Sequence, residues 1–209
     1  MSKRILLFLL LAAAAGRAQT VNCVVAVVNG AIITRLDVEV TAAFGLQADP
    51  AAEPGGDPRL AALEALIDRK VVLDLSREVR TVNKDETAAA LDALRRTMGE
   101  EGFAAALRRF GLTPKDLEPY LEDRILYERA LALRFSQSIP VSVTEVERHY
   151  RDIYVPEQDR LGAAAQPLDR VADSIEARIR GERRAQQTSA WVRDLRKTTE
   201  IQIRKDCLK

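Results

Sequence analysis

Few residues in this chain of 209 have the type and spacing for bond-making chemistry, and most of them stand alone. His149 is the one histidine; it lies between Arg148 and Tyr150 on a charged stretch, with no serine or cysteine nucleophile beside it, and it reads as a surface residue. Cys23 and Cys207 sit near opposite ends, and with one histidine they cannot complete a metal site. Carboxylates are numerous but interleave with arginine at helical spacing, as in Glu176/Arg180 and Glu118/Glu122/Arg124, which describes solvated helix faces rather than an acid–base pair. Gly55-Gly56 lies among prolines and follows no strand, so it is not a phosphate loop. Arg178, Arg180, Arg183 and Arg184 form a basic cluster, but Glu176 and Glu182 interrupt it, and a charged helix face explains it better than nucleic-acid contact. No catalytic residue, metal or cofactor is expected. The residues describe a binding protein and not an enzyme.

The elements that would position a binding surface begin at the two ends. Cys23 to Val28 is a β-branched apolar run that meets Asn29-Gly30 and resumes at Ala31-Ile32-Ile33. Asn-Gly between two such runs predicts a hairpin, because a type I′ turn needs positive φ at both central residues. Ile201-Gln202-Ile203-Arg204 alternates at the far end, and no comparable run lies between. The two ends are therefore expected to share one small antiparallel sheet beside a mainly α, multi-helix body. Residues 1–18 read as a cleaved secretory signal: Lys3 and Arg4 precede an apolar stretch from Ile5 to Ala15, then small residues at Gly16 and Ala18. That run is shorter than the roughly 18 residues that span a bilayer, so the protein is not expected to cross a membrane. Removing 1–18 leaves 29 basic against 31 acidic residues, a balance with no pull toward nucleic acid or anionic lipid. An exported chain with one cysteine in each end segment suggests a Cys23–Cys207 disulfide; two free thiols are the alternative.

Between the ends the pattern is helical. Thr34, with Asp37 three residues on, caps a short helix to about Phe44, and Leu46 to Gly56 reads as a mobile loop. Asp57-Pro58 opens a helix carrying Leu63, Leu66, Ile67, Val71 and Leu75 to about Val79. Asn83 and Glu86 form a capping box for a helix stopped by Gly99, and a shorter helix around Phe103, Leu107 and Phe110 ends at Gly111. Thr113-Pro114 starts a long helix in which Pro119 is placed to kink it. Thr144 and Glu147 form a further capping box leading to about Tyr154, and Leu168 to Lys197 reads as one long helix with Val171, Ile175 and Ile179 on one stripe. Trp191 on that helix is expected to be buried against the body.

Four segments in order carry a family resemblance: Val25 to Val38, Leu66 to Leu73, Val141 to Glu147 with Tyr150, and Trp191 to Arg196 with Ile201-Gln202-Ile203. Together they resemble the chaperone module of the SurA family of periplasmic folding factors. In relatives with isomerase activity, a parvulin domain sits between the third and fourth segments. Here that interval is residues 155–167, where Gly162-Ala163-Ala164-Ala165 looks like a plain linker. The resemblance implies the scaffold without the isomerase domain.

The reading that follows has a signal at 1–18, a helical chaperone domain with the hairpin at 19–154, a linker at 155–167, and a helix and strand at 168–209 completing the same module. The resemblance implies an ATP-independent holdase in the periplasm or outside the cell, whose partners are unfolded outer-membrane or secreted polypeptides. Phe44, Leu46, Phe103, Leu107, Phe110, Tyr120 and Tyr127 are candidates for a client groove, because they lie in or beside the less regular helices; core filling is the competing reading of each. A residual prolyl isomerase and an envelope adaptor with one dedicated partner are the rival functions.

Overall fold

A computed structural model of the chain describes residues 23–47, 56–75, 81–137 and 139–208. The signal assigned to 1–18, most of the loop after Leu46, the end of the second helix and Ser138 lie outside the described residues. Strand β1 (Val24–Val28) turns through Asn29 and Gly30, at φ 45° and 83°, into β2 (Ala31–Thr34), as the Asn-Gly pair predicts. Strand β3 (Ile201–Ile203) pairs antiparallel with the other side of β1, giving the order β2-β1-β3. A bulge at Val25 shifts the β1–β2 register, which lets both Val25 and Ala26 be buried despite being consecutive.

The body follows directly from the hairpin. Helix α1 (Arg35–Ala43) starts at Thr34, whose side chain accepts from the Asp37 amide while the Asp37 carboxylate accepts from the Thr34 amide. Helix α2 (Pro58–Leu75) begins at the expected proline and runs through the middle of the body, touching α1 and two helices that come later. Helix α3 (Lys84–Met98) carries the Asn83/Glu86 capping box, and α4 (Glu100–Phe110) ends at Gly111, whose φ of 65° is the left-handed conformation that glycine adopts without strain. A 3-10 turn (Pro114–Leu117) precedes α5 (Glu118–Arg134). Pro119 therefore falls in the first turn of α5, where its missing N–H costs nothing, and does not sit inside a longer helix.

Helix α6 (Val143–His149) is capped by Ser142 and Glu145, two residues earlier than the Thr144/Glu147 box that the sequence suggests. A π turn (Tyr150–Tyr154) and α7 (Val155–Arg160) continue it, so the first half of the interval 155–167 is helical. The widened turn lies just ahead of Pro156, which cannot donate to the carbonyl one turn back. The long helix α8 (Leu168–Thr198) spans about 46 Å at 1.5 Å per residue and delivers the chain to β3, followed by a 3-10 turn (Lys205–Leu208).

Packing divides along α8. The inner face of the sheet, Val38 of α1 and Ala62, Leu63, Leu66, Ile67 and Val71 of α2 form one core with Leu208. Val40, Phe44, Leu46, Leu94, Phe103, Leu117 and Leu121 form a second between α1, α3, α4 and α5. The C-terminal half of α8 joins through Val192 to Val72, Tyr127 and Ala130. Its N-terminal half carries Val171, Ile175 and Ile179 against Val146 of α6, making an arm with its own small core. Cys23 and Cys207 are disulfide-bonded with Cα atoms 5.8 Å apart, so β1 and the end of the chain are covalently joined.

Candidate functional site

The expected groove residues are brought together, but mainly as core. Phe44, Leu46 and Phe103 are buried in the second core, and Leu107, Phe110 and Tyr120 pack half-buried around them. The Phe44 ring meets Phe103 edge-on at 5.9 Å between centroids and lies 6.5 Å from Phe110. The Arg95 and Arg109 guanidinium groups cover the outer faces of Phe103 and Phe110 at 5.3 and 5.1 Å. Tyr127 belongs to the third core and is also buried. Leu46, placed by sequence at the start of a mobile loop, is fully buried, because its amide donates to Thr41 and its side chain plugs the end of α1.

Open concave surface lies beside these residues. A cleft of about 630 Å³ lies between α1, α3 and α5, lined by Ala42, Phe44, Ala90, Ala93, Met98 and Leu121. The short side chains of Ala42, Ala90 and Ala93 leave that space open. Arg124 and Glu128, ion-paired at 2.8 Å, lie at this cleft. A second cleft of about 440 Å³ separates α2 and α5 from α8, with Tyr127, Leu131 and Val192 apolar and Arg184, Arg193 and Arg196 charged. Arg196 is held by Glu64 at 2.6 Å and Asp68 at 2.9 Å; burial pushes the Asp68 carboxyl up, and Arg196 offsets part of that. A third, of about 400 Å³, contains Ile32, Arg69, Lys70 and Tyr120. The Tyr120 hydroxyl donates to Asp37 at 2.7 Å, and burial together with that carboxylate pushes its pKa well up.

Two buried residues with ionisable side chains escaped the sequence reading. Arg69 is 1% exposed and donates from Nη2 to the Leu46 carbonyl at 2.6 Å, while its Nε and Nη1 have no hydrogen-bond partner. Its place in the stripe Ala62, Leu66, Arg69 was the available signal. His149, read as a surface residue, is buried, and neither ring nitrogen has a hydrogen-bond partner. It follows Val146 by three residues and so faces α8 with it.

Three of the four arginines in the basic cluster on α8 pair internally, while Arg184 lines the second cleft. Arg178 binds Glu157 of α7 at 2.9 Å and Glu182 at 3.1 Å; Arg180 pairs with Glu176; Arg183 pairs with Glu145 of α6 and donates to the Pro140 carbonyl at 2.7 Å. The capping bonds from Ser142 and the Arg183 contact hold the Glu145 carboxyl down at about 2. The Arg178–Glu157 and Arg183–Glu145 pairs clamp α7 and α6 onto the N-terminal half of α8, while the other two lie within α8. Trp191 is half-buried and meets Phe135 edge-on at 5.7 Å, with Arg134 5.8 Å from its ring; the fully buried position that the sequence assigned to Trp191 is taken by Val192. Among the described residues no group of histidine, cysteine and carboxylate side chains could hold a metal ion, and no helix is long and apolar enough to cross a membrane. No known family model matches the chain, and no curated protein matches it significantly.

Proposed function

We propose that this chain is an ATP-independent chaperone of the SurA type, a holdase for unfolded secreted or outer-membrane polypeptides in the periplasm or outside the cell, without an isomerase domain. The observation that carries the reading is the alanine-walled cleft between α1, α3 and α5. An apolar client side chain entering it exchanges water for alanine, Phe44, Leu121 and Met98, a gain of about 25 cal/mol per Å² that depends on area and not on sequence. Met98 adapts its shape to different occupants. Such contacts suit many clients weakly, which is what a holdase requires. The Cys23–Cys207 bond supports an oxidising compartment.

The test is suppression of aggregation of an unfolded β-barrel protein without nucleotide, compared between the unaltered chain and Ala93→Trp. Ala93 lines the cleft and is exposed, so the indole fills the space without displacing the core. The variant is expected to need about tenfold more protein for equal protection, a loss of ~1.4 kcal/mol, with an unchanged melting temperature. Full protection by Ala93→Trp would remove the cleft from the mechanism, and no protection by the unaltered chain would remove the function. A proline-peptide assay on the same sample is expected to show no catalysis above background.

A further inference from the structure

β3 is an end strand in the order β2-β1-β3, so one side of its backbone has no strand neighbour among the described residues. Asn29 donates to the Glu200 carbonyl at 2.9 Å, and Arg204 donates to the Val25 carbonyl at 2.7 Å. With Val27 opposite Gln202, residues 200, 202 and 204 therefore turn their backbone groups toward β1. Ile201 and Ile203 turn theirs outward. Ile201 pairs with Val28 and Ile203 with Ala26, so both side chains share the core-facing side of the sheet. Ile203 is nevertheless 38% exposed, because no described residue beyond the edge covers it.

We propose that this edge is the docking surface for a second copy of the same chain, related by a two-fold axis through Gln202, giving a six-stranded sheet β2-β1-β3-β3-β1-β2 across two molecules. The sequence Glu200-Ile201-Gln202-Ile203-Arg204 is complementary to itself when antiparallel. Centred on Gln202, Ile201 of each copy lies opposite Ile203 of the other and exchanges two backbone hydrogen bonds with it, four in all. Those are the residues whose backbone groups point outward. The isoleucines meet on the core-facing side, extending both cores across the junction. On the other side Glu200 of each copy faces Arg204 of the other, two opposite-charge pairs related by the axis. Neither residue is engaged in an ion pair among the described residues, and the Glu200 carboxylate accepts only from Gln202, at 2.9 Å. The charges that would repel most partners at this edge attract this one. A two-fold contact requires such self-complementarity. The proposal does not depend on the chaperone reading.

Sedimentation equilibrium of the oxidised full chain, from micromolar to about 1 mM, tests it, since a junction this small gives a weak dimer. A monomer–dimer equilibrium is expected. Glu200→Arg and Arg204→Glu each set like charges opposite one another and should raise the dimer Kd about tenfold or more, and the double exchange should restore it to within about threefold. A chain that is monomeric throughout, or a dimer indifferent to the single reversals, would overturn the proposal. Should either reversal fail to fold, Gln202→Cys decides, because the axis brings the two Cα atoms to roughly 4.5 Å, within disulfide range. Oxidation should then link Gln202→Cys into dimers under conditions where Asp92→Cys, exposed on α3, stays monomeric; equal linking of both, or of neither, overturns the proposal. A monomer in which Ile203→Pro abolishes client capture would assign the edge to client strands instead, and overturns it too.

Discussion

Arg69 donates to the Leu46 carbonyl from the centre of the body, and neither residue reaches solvent. The bond ties α2 to the chain leaving α1, where the carbonyl would otherwise be buried without a partner. Its cost is a guanidinium held away from water with two nitrogens unpaired. Burial lowers the pKa of Arg69, opposed by the nearby Asp123 carboxylate.

Two substitutions separate these effects. Arg69→Met keeps most of the volume, removes the desolvated charge and loses one hydrogen bond, so it should change stability by no more than about 1 kcal/mol in either direction. Arg69→Ala also leaves a cavity beside Leu66, and is expected to cost about 2–4 kcal/mol. Urea denaturation of both variants measures the difference. Equal, large losses in both would mean that the hydrogen bond, and not the packed volume, is what Arg69 contributes.

The Cys23–Cys207 bond closes the chain across a separation of 184 residues. In the chain-entropy model such a closure stabilises by up to about 5 kcal/mol through the unfolded state. Cys207→Ser should therefore lower the melting temperature, and hydrogen exchange should accelerate first at β3, which has three residues and depends on β1 for its ladder. Leu208, buried against the first core, should keep the end of the chain partly docked in that variant. A non-reducing digest should contain the Cys23–Cys207 cross-linked peptide.

Trp191 contributes less than a fully enclosed indole. Its contacts are Phe135, Arg134 and the edge of the third core. Truncation to alanine of a half-buried ring should cost about 2 kcal/mol, below the 3–5 kcal/mol of a buried one. Val192→Ala, beside it and buried, should cost a similar amount despite the smaller side chain. Trp191 fluorescence should be intermediate in the native state and red-shifted on melting. Measuring client binding on Trp191→Ala alongside stability separates packing from recognition.

What the sequence revealed was local. Thr34 with Asp37, Asn83 with Glu86, Asn29-Gly30 and Gly111 each specify a cap or turn from a few adjacent residues, and all occur where expected. The pairing of the two ends was legible because only two segments favour strands. Burial at the site was not, because it depends on which helix faces which. Arg69 and His149 look like surface residues by type and are buried by position. Phe44 and Phe103 look like groove residues by their irregular surroundings, yet they fill the space between α1 and α4. Two overlapping Ser/Thr-to-Glu spacings compete at 142–147, and the earlier one starts the helix: Ser142 is extended, at φ −84° and ψ 155°, and Val143 is already helical.

Acid should loosen the arm before the body. Glu145 has its carboxyl held down at about 2 by Ser142 and Arg183, against an ordinary value of 4.5, and Glu157 is lowered in the same direction by Arg178. A carboxylate depressed in the folded state stabilises fully above its unfolded pKa and loses that contribution as pH falls toward the folded value. Glu145 ties α6, and Glu157 ties α7, to the N-terminal half of α8, so the arm should loosen between about pH 4.5 and 2. Asp68, on the α2–α8 seam of the body, is shifted upward, and its protonation on acidification favours the folded state. The rings of Tyr150 and Tyr154, stacked at 5.5 Å, report on the arm alone. Their near-ultraviolet circular dichroism should decline in that pH window while Trp191 fluorescence holds. Glu145→Gln should lower the tyrosine signal already at neutral pH and flatten its acid dependence. A single acid transition common to both probes, unchanged in Glu145→Gln, would show that arm and body melt as one unit and that this clamp does not control the arm.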